Sequence, residues 1–377
     1  MSELSYLEKL LDGVEVEWVT LGSMADIGTG SSNRQDESEK GIYPFYVRSK
    51  NILKSDTFEF DEVAIVIPGE GGIGDIFHYV EGKYALHQRA YRIRITTNAV
   101  DTKFLYYFMS SSFKQYILTK SVGATSISIR KPMLEGFKVP IPSPDNPKKS
   151  LAIQSEIVRI LDTFTALTAE LTAELTAELS MRKKQYNYYR DQLLSFDDDE
   201  VEWKTLGEIT RKIASGRNKT RQAEGDFPVY GSTGLLGFTN EPAYAGNLLL
   251  VARVGAYAGL VNAVSGHFDV SDNTLIIHPS DSWNARFAFH QLTHMNLNQY
   301  AVGAGQPLIT GGLLKNLKVP VPSLDEQTRI AKILDKFETM TVSITEGLPR
   351  EIELRRTQYE YYRDMLFNFP KPEEAEA

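Results

Sequence analysis

Two patterns of hydrophobic and polar residues alternate along the chain, and each of them occurs twice. In residues 15–150 and 197–324, short runs of apolar and β-branched residues, such as Val63–Ile67, are separated by Gly and Pro. Runs of this kind predict β-strands joined by turns. Longer apolar patches near Phe104–Lys120 and Ala285–Leu297 predict one helix within each of these regions.

Residues 151–196 and 325–369 have the other pattern, with almost no Gly or Pro and with apolar residues at helical spacing. Within them, 164–182 and 337–355 have equal length and matched apolar positions. A stripe this narrow needs a second helix to cover it, so we predict that the two helices pair as an antiparallel coiled coil. The residues predicted to form the pairing are Leu167, Leu171, Leu175, Leu179, Met340, Ile344, Leu348 and Ile352.

Two details refine the helical prediction. Gly347 and Pro349 lie inside the second helix and should bend or break it. Residues 6–11 resemble residues 189–194, the tail of the first helix, so the chain begins with a helix tail and ends with a helix body. We therefore expect the two termini to lie together.

The order of short motifs shows that the chain is a tandem duplication. The repeated motifs are VEW at 16 and 201, KVPIPS and KVPVPS at 138 and 318, ILD at 160 and 333, and QYNYYRD and QYEYYRD at 185 and 358. Between 182–196 and 355–369, 9 of 15 positions are identical. Because the order is kept, we predict two equivalent units of roughly 180 residues.

The predicted fold class is α+β: two mixed α/β domains are separated by two long helices that form an antiparallel coiled coil, in a pseudo-twofold tandem repeat. The predicted parts are an N-terminal helical segment (1–14), a first domain (15–150), a central helical spacer (151–196), a second domain (197–324), a C-terminal helical spacer (325–369) and an acidic, disordered tail (370–377).

Composition excludes several classes of protein. The 377 residues are 42% hydrophobic and 24% charged, which is typical of a soluble globular chain, and the net charge is −8. The chain has no cysteine, which rules out disulfides, thiolate zinc sites, iron–sulfur clusters and cysteine nucleophiles. Neither a signal peptide nor an apolar stretch of about 20 residues is present, so a cytoplasmic location is expected.

Three tetrads of sequence TAEL follow one another at 168–179. Each tetrad adds about 6 Å of helix and about 40° beyond a full turn. On B-DNA, 6 Å corresponds to roughly one to two base pairs. A spacer that changes in such steps suits a protein whose two domains contact a linear lattice at a fixed separation.

The catalytic signatures in the chain are weak. Gly69–Gly74 matches GxGxxG after a predicted strand, but a dinucleotide site needs a helix next, and the following residues alternate like strands. A turn or hairpin is therefore favoured there. His290 and His294 share one helical face without an evident third ligand, so no metal site is predicted. We expect no catalytic residues in this chain.

Basic residues are clustered despite the negative total, and acidic residues can lie on another face. Five positive charges fall within 211–221, without an acid among them. The repeat also aligns 87–89 with 271–273 and the Gly-rich 122–126 with 302–306. Arg, Lys, Asn and Gln can bind phosphates or base edges, whereas a solvated surface or an ordinary turn is the alternative for each cluster. The predicted DNA-binding residues are Ser31, Asn33, Arg34, Arg48, Lys50, Asn51, Gln88, Arg89, Thr125, Ser126, Arg130, Lys131, Arg217, Asn218, Lys219, Arg221, Arg253, Asn273 and Gln306.

This layout resembles the specificity subunit of a type I restriction-modification system. The resemblance rests on two dissimilar domains that each end in Val-Pro-Ile/Val-Pro-Ser and lead through Gln154 or Gln327 into Ile-Leu-Asp, Phe and a long helix. The tetrad spacer is similar to that of subclass C. One departure is the insertion 144–150 before Gln154, which is expected to alter that hinge.

The resemblance implies two target-recognition domains, each reading one half of a bipartite asymmetric site in double-stranded DNA. It also implies that the helices bind two methyltransferase subunits and that restriction subunits join the complex. Those partners would bind S-adenosylmethionine, ATP and Mg, whereas this chain would bind no cofactor. For the repeated tyrosines of 185–189 and 358–362, core packing is favoured over contact with a partner.

Two other functions stay open on the sequence alone. One is a coiled-coil adaptor that binds only proteins and no DNA. The other is a nucleotide-dependent enzyme that uses Gly69–Gly74.

Overall fold

A computed structural model describes residues 6–70, 72, 74–120, 128–197, 200–303, 305–342 and 346–371. The chain divides into two compact units. Unit 1 comprises Met1–Ala173 with Glu353–Ala377, and unit 2 comprises Glu174–Ile352. Among the residues described, no helix has the length and apolar character that a membrane span requires.

Unit 1 contains a sheet, two short strands and the first part of a long helix. Its helices are α1 (Tyr6–Leu11), α2 (Thr102–Lys120), α3 (Lys131–Glu135) and the start of α4 (Pro147–Leu193). Its strands are β1 (Val16–Thr20), β2 (Ala25–Thr29), β3 (Tyr43–Tyr46), β4 (Ile52–Ser55), β5 (Phe60–Pro68), β6 (His78–Leu86), β7 (Ala90–Ile95) and β8 (Lys138–Pro142). The predicted strand at Val63–Ile67 and the predicted helix at Phe104–Lys120 are confirmed.

Six strands of unit 1 form one sheet in the order β2-β7-β5-β6-β3-β4. All neighbours are antiparallel except β3 and β6, which run parallel. Because β5 and β6 pair as a hairpin, Gly69–Gly74 lies in the connection between two strands. The hairpin interpretation of this motif is confirmed, and the dinucleotide-site interpretation is wrong, since β6 rather than a helix follows.

Unit 2 repeats this plan. Its strands are β9 (Glu202–Thr205), β10 (Thr210–Ser215), β11 (Phe227–Gly231), β12 (Gly234–Thr239), β13 (Tyr244–Ala245), β14 (Leu248–Ala252), β15 (Val261–Val264), β16 (His267–Val270), β17 (Thr274–Pro279) and β18 (Lys318–Val321). Its helices are α5 (Leu206–Ile209), α6 (Ala285–His294), α7 (Gly311–Asn316), α8 (Leu324–Thr341) and the start of α9 (Gly347–Leu366), which ends in unit 1. The predicted helix at 285–297 is confirmed, although it ends three residues earlier.

The sheets of the two units differ at one glycine position. Gly82 has φ +96° within the continuous strand β6, and its counterpart Gly266 has φ +87° between β15 and β16. In unit 2 the strand is interrupted there, so the strands form two sheets, β10-β17-β14-β15 and β12-β11-β16-β13. Positive φ favours glycine, which explains why the same residue type marks both positions.

A buried glutamine fixes the start of α2 in unit 1. Gln154 is 0% exposed, its Oε1 accepts from the backbone N–H of Asp101 at 2.8 Å, and its Nε2 donates to the carbonyl of Ala99 at 2.9 Å. Asp101 in turn caps α2, because its carboxylate accepts from the N–H groups of Lys103 and Phe104, each at 2.9 Å. The base of α4 and the start of α2 are thus held by one chain of hydrogen bonds.

Unit 2 contains the same arrangement 173 residues later. Gln327 is also 0% exposed; it accepts from the N–H of Asn284 at 2.8 Å and donates to the carbonyl of Ser282 at 3.0 Å. Asn284 caps α6 by accepting from the N–H groups of Arg286 and Phe287. We call Gln154 and Gln327, with the backbone groups that they bind, the glutamine clamps.

An aspartate two turns further along adds a second connection. The carboxylate of Asp162 accepts hydrogen bonds from the ammonium group of Lys103 and from the hydroxyl of Tyr107, each at 2.7 Å. Burial, and then the hydrogen bond to Asp162, raises the pKa of Tyr107, so this hydroxyl keeps its proton and donates. Asp335 is the equivalent residue of unit 2. Each clamp is therefore flanked by a carboxylate that binds the adjacent helix.

Apolar side chains on the same helix faces complete both cores. Ile157 and Leu161 in unit 1, and Ile330 and Leu334 in unit 2, are all 0% exposed. Full burial of such a side chain contributes about 1.5–3 kcal/mol. The apolar stripe predicted for the start of each spacer helix therefore packs against its domain.

α4 begins at Pro147, four residues before the predicted boundary, so the insertion 144–150 supplies the first turn of the helix. It continues without interruption through the three tetrads to Leu193, a length of 47 residues. The prediction that the tetrads form helix is confirmed.

The second spacer helix is interrupted, as Gly347 and Pro349 predicted. α8 ends at Thr341 and α9 begins at Gly347, which has φ +78°. A Cβ atom at Gly347 would clash with the carbonyl oxygen of Thr339, so the positive φ and the close approach at this position require glycine. A continuous helix over 337–355 is therefore wrong.

In unit 1, α4 contacts α9. The rings of Phe164 and Tyr362 lie 5.9 Å apart, and the hydroxyl groups of Thr165 and Tyr359 lie 3.0 Å apart. In unit 2, the end of α4 contacts α8, with Tyr189 stacked on Phe337 at 5.6 Å.

The residues predicted to pair the two helices differ in burial. Leu171, Leu175, Leu179, Leu348 and Ile352 are half-buried. Leu167 is 56% exposed and Met340 is 37% exposed, so these two are not covered as a buried seam requires. Ile344 lies outside the described residues.

Helix α1 and the end of α9 meet within unit 1, which confirms the prediction for the two ends of the chain as far as the described residues reach. Leu7 and Leu11 of α1 belong to the same buried cluster as Leu366 and Phe367 at the end of α9. Pro370 also belongs to the ordered structure, because its carbonyl accepts from the indole N–H of Trp18 at 2.8 Å. The prediction of a disordered tail is therefore wrong at its first residue, while 372–377 lie outside the described residues.

Replacing Gln154 with Met should loosen the start of α2. The variant keeps the side-chain volume but leaves the N–H of Asp101 and the carbonyl of Ala99 without their partner in a buried site. We expect the amides near 99–105 to exchange about 10- to 100-fold faster in hydrogen–deuterium exchange followed by mass spectrometry. The control Gln115→Met, at an exposed position of α2, should leave exchange unchanged; equal exchange in both variants would contradict the clamp.

Candidate nucleic-acid interface

A cleft of about 630 Å³ opens at one edge of the unit 1 sheet. Its walls come from the segment after β2, the β3–β4 connection, the β5–β6 hairpin and the turn after β6. The residues that line it are Arg34, Val47, Arg48, Ser49, Asn51, Leu53, Glu70 and His87. Three of the predicted DNA-binding residues, Arg34, Arg48 and Asn51, are therefore brought together here.

Glu70 joins two arginines at this cleft. Its carboxylate accepts from Arg89 at 3.1 Å and from Arg48 at 3.2 Å, and all three side chains are about half exposed. Arg89 first, and then Arg48, holds the pKa of Glu70 below its usual value, so the carboxylate stays charged at neutral pH. The two guanidinium groups are thus held in place but partly neutralised.

His87 and Gln88 complete the rim. Burial, and then the charges of Arg48 and Arg89, lowers the pKa of His87, so its imidazole is neutral at pH 7. Its Nδ1 accepts from the backbone N–H of Arg89 at 3.0 Å. Gln88 is exposed and donates from Nε2 to the Oδ1 of Asn33 at 2.5 Å.

A second cleft, of about 390 Å³, opens in unit 2. The residues that line it are Asn218, Lys219, Arg221, Ser232, Thr233, Leu236, Ser271, Asp272 and Asn273. Asn218 donates from Nδ2 to Asp269 at 2.6 Å, which fixes its amide, whereas Lys219 and Arg221 are exposed. Four of the predicted DNA-binding residues are brought together in this cleft.

The two clefts occupy equivalent places in their units. Ser32 forms a parallel bridge with His87, and Asn218 forms the same bridge with Ser271. The turns 87–90 and 271–274 each follow a strand that pairs in parallel with β3 or β11. The predicted alignment of 87–89 with 271–273 is therefore confirmed by the backbone.

Other predicted residues lie elsewhere or have other partners. Ser31 donates to Glu59 at 2.7 Å, and Lys131 pairs with Glu135 at 3.8 Å on α3. Arg130 is the residue that precedes α3. Lys50 is exposed beside the first cleft. Thr125 and Ser126 lie outside the described residues.

In unit 2, the basic run of 211–221 does not form one patch. Arg211 lies on β10 and pairs with Asp281, whereas Arg217 is exposed in the segment that leads to the second cleft. Arg253 is half-buried, and Gln306 is exposed outside the cleft lining. The basic residues that are continuous in the sequence are therefore divided between β10 and the segment that follows it.

Two features of the clefts were not predicted from the sequence. Ser232 and Thr233 follow β11 as Arg48 and Ser49 follow β3, so the repeat could have revealed them. Glu70 lies within the glycine-rich hairpin, and no local pattern shows that its carboxylate reaches two arginines.

Among the described residues, one group has the spacing to hold a metal ion, and an arginine already binds its carboxylates. His290, Asp335 and Glu338 place ligand atoms within 4.8 Å of one another. However, Arg286 donates to both carboxylates at 2.6 Å, and the Nε2 of His290 lies 2.7 Å from Asp335. Burial lowers the pKa of His290, so we assign Nε2 as the donor to the carboxylate. This network is the unit 2 counterpart of the contacts of Asp162, and His294 takes no part in it.

The repeated tyrosines divide into covered and exposed residues. Tyr186 is half-buried against Phe337, which confirms core packing for that position. Tyr188 is 61% exposed and its counterpart Tyr361 is 60% exposed, so core packing is wrong for this pair. Each exposed ring lies edge-on to its neighbouring tyrosine, at 5.4 Å and 5.5 Å. The same aromatic surface thus occurs twice, once in each unit.

Comparison with protein families identifies two copies of one domain. The model for the type I restriction modification DNA specificity domain matches residues 13–181 and 198–354. The chain is 42% identical, over 376 residues, to the Escherichia coli type I restriction enzyme EcoprrI specificity subunit, covering 92% of this chain and 93% of that one. A second Escherichia coli type I specificity subunit is 36% identical over 414 residues. The alignment covers 99% of this chain and 99% of that one.

Solved structures share the fold. The S subunit of a type I restriction-modification system from M. genitalium aligns with a TM-score of 0.53 at 20% identity, covering 96% of this chain and 98% of that one. A chain from a study of complex assembly and conformational transition in the type I R-M system aligns with a TM-score of 0.59 at 15% identity, covering 93% and 97%. These two similarities concern the fold alone.

Replacing Glu70 with Gln should strengthen the binding of duplex DNA. The change releases Arg48 and Arg89 for phosphates, and each added phosphate contact steepens the dependence of log K on log salt by about 0.9. We expect a slope steeper by about 0.9–1.8, measured by fluorescence anisotropy over a salt series. Glu81→Gln, which removes the same charge from an exposed position of β6, serves as the control. A slope equally steep in the control would show a general charge effect and refute the role of Glu70.

Proposed function

The chain belongs to the family of type I restriction-modification DNA specificity subunits, and we propose that each of its two clefts reads one half of a bipartite asymmetric DNA site. It is the non-catalytic DNA-recognition component of its restriction-modification system. The observation that carries the proposal is the pair of clefts, equivalent in backbone and different in side chains. The comparisons favour this function over a protein-only adaptor.

Different side chains at equivalent positions are what two different half-sites require. Arg48, which follows β3, corresponds to Ser232, which follows β11, and His87 corresponds to Ser271. Guanidinium, hydroxyl and imidazole groups offer different hydrogen bonds to base edges. A symmetric reader would instead repeat the same chemistry. We therefore assign one asymmetric half-site to each unit.

Exposed basic residues at the clefts supply the phosphate contacts. Arg34 in the first cleft and Lys219 and Arg221 in the second are exposed side chains. Contacts with phosphates set the register on the duplex, whereas contacts with base edges specify the sequence. Local clusters of this kind can bind DNA although the chain as a whole carries a charge of −8.

The helix α4 acts as a ruler between the half-sites. Its 47 residues correspond to about 70 Å of continuous helix, and the three tetrads lie within it. The tetrads support assignment to subclass C. We propose that α4 pairs with the second spacer as an antiparallel coiled coil, supported in unit 1 by contacts in which α4 residues 164 and 165 meet α9 residues 362 and 359.

The duplicated aromatic surface binds two methyltransferase subunits. Equivalent surfaces bind equivalent partners, and the surface of Tyr188 and Tyr189 recurs at Tyr361 and Tyr362 with the same exposure. Exposed tyrosines are typical anchors of protein interfaces. Restriction subunits join through this complex, and the partner subunits bind S-adenosylmethionine, ATP and Mg, while this chain binds no cofactor.

Deleting one tetrad, Thr172–Leu175, should change the spacing of the two half-sites. The deletion shortens α4 by about 6 Å and rotates its ends by about 40°, which corresponds to roughly one to two base pairs. We expect the methylated sites of the reconstituted complex to keep both half-site sequences and to lose one or two base pairs between them. Glu174→Gln, at constant length, should leave the spacing unchanged. Altered half-site sequences in the deletion variant would disprove the ruler.

Removing one exposed tyrosine should halve the number of bound methyltransferase subunits. We expect Tyr188→Ala and Tyr361→Ala each to leave one subunit bound, and the double variant to leave none, as counted by native mass spectrometry. Tyr257→Ala, at a 61% exposed tyrosine of the second domain, is the control and should keep both subunits. Two subunits on the double variant would refute the proposed docking surface.

A further inference from the structure

The two clefts present different residues at the same point of the same turn. In the turns 87–90 and 271–274, the carbonyl of the first residue accepts from the N–H of the fourth, at 2.9 Å and 3.2 Å. The second residue is Gln88 in unit 1 and Asp272 in unit 2, and both are exposed. An amide in one cleft is therefore replaced by a carboxylate in the other.

The carboxylate of Asp272 has no partner within the described part of the chain. Gln88 bonds to Asn33 at the rim of the first cleft, whereas the side chain of Asp272 forms no hydrogen bond or ion pair with the described residues. Lys219 and Arg221 line the same cleft, yet neither lies within ion-pair distance of this carboxylate. A free acceptor thus faces the space that the proposed function assigns to DNA.

An unpaired carboxylate in such a place repels phosphates. Burying it under the duplex also costs free energy unless it gains a hydrogen-bond donor. A carboxylate only accepts hydrogen bonds. Among the base edges of the major groove, the amino group of cytosine is the donor that suits Asp or Glu, whereas the adjacent donor and acceptor of adenine suit Asn or Gln.

We infer that Asp272 selects a cytosine at one position of the half-site read by unit 2. The inference rests on the proposed function and adds the identity of one base. Gln88 at the equivalent position offers both a donor and an acceptor, so the same turn reads a different base in unit 1. Asp272 is a specificity-determining residue because it accepts from the amino group of cytosine, whereas guanine and thymine offer it only acceptors and adenine places an acceptor beside its amino group.

The test is the Asp272→Asn variant, reconstituted with methyltransferase subunits and presented with DNA in which every position of both half-sites is varied. Sequencing of the methylated molecules gives the relative preference for each base. We expect the preference for cytosine over adenine at one position to fall by about 5- to 150-fold, with all other positions of both half-sites unchanged. The matched control Asp226→Asn removes the same charge from an exposed position of unit 2 outside the cleft lining and should keep the preference.

Three results would overturn the inference while the proposed function stands. The first is a wild-type complex that requires no cytosine in the half-site of unit 2. The second is an unchanged base preference in Asp272→Asn. The third is equal strengthening of binding to all sequences, which would mean that the carboxylate only repels phosphates or restrains Lys219. A wild-type complex that recognises no two-part sequence would instead contradict the proposed function itself.

Discussion

The rest of the structure depends on two buried glutamines at the bases of the spacer helices. Gln154 and Gln327 each satisfy one backbone N–H and one backbone carbonyl just before α2 or α6, at positions from which water is excluded. A buried polar group without a partner costs about 1–3 kcal/mol, so these bonds fix where each domain sits on its helix. The same attachment therefore holds both domains, although their clefts differ in side chains.

Much of this fold follows from local patterns. The strand at Val63–Ile67, the helices α2 and α6 and the duplication are predictable because periodicity and repeated motifs record them directly. The break before Gly347 was also predictable, since glycine and proline act on their own backbone. The division of one sheet into two at Gly266 was not, because the equivalent Gly82 lies in an unbroken strand.

The candidate sites were harder to predict because their partners are distant in sequence. The repeat correctly aligned the turns 87–89 and 271–273, since duplication preserves the backbone. It could not show that Glu70 joins Arg48 to Arg89, or that Arg211 pairs with Asp281 away from the cleft. Ion pairs of this kind depend on the folded chain, so a cluster of charges in sequence overstates the charge that a surface presents.

The glutamine clamps have a consequence for the evolution of specificity. Toward the domain, Gln154 and Gln327 recognise only main-chain groups, and the neighbouring carboxylates accept Lys and Tyr in one unit but Arg and His in the other. An attachment that is indifferent to side-chain identity tolerates almost any domain that keeps this backbone path. Replacing one domain with another that keeps this path would therefore change the cleft and leave its attachment to the spacer helix intact.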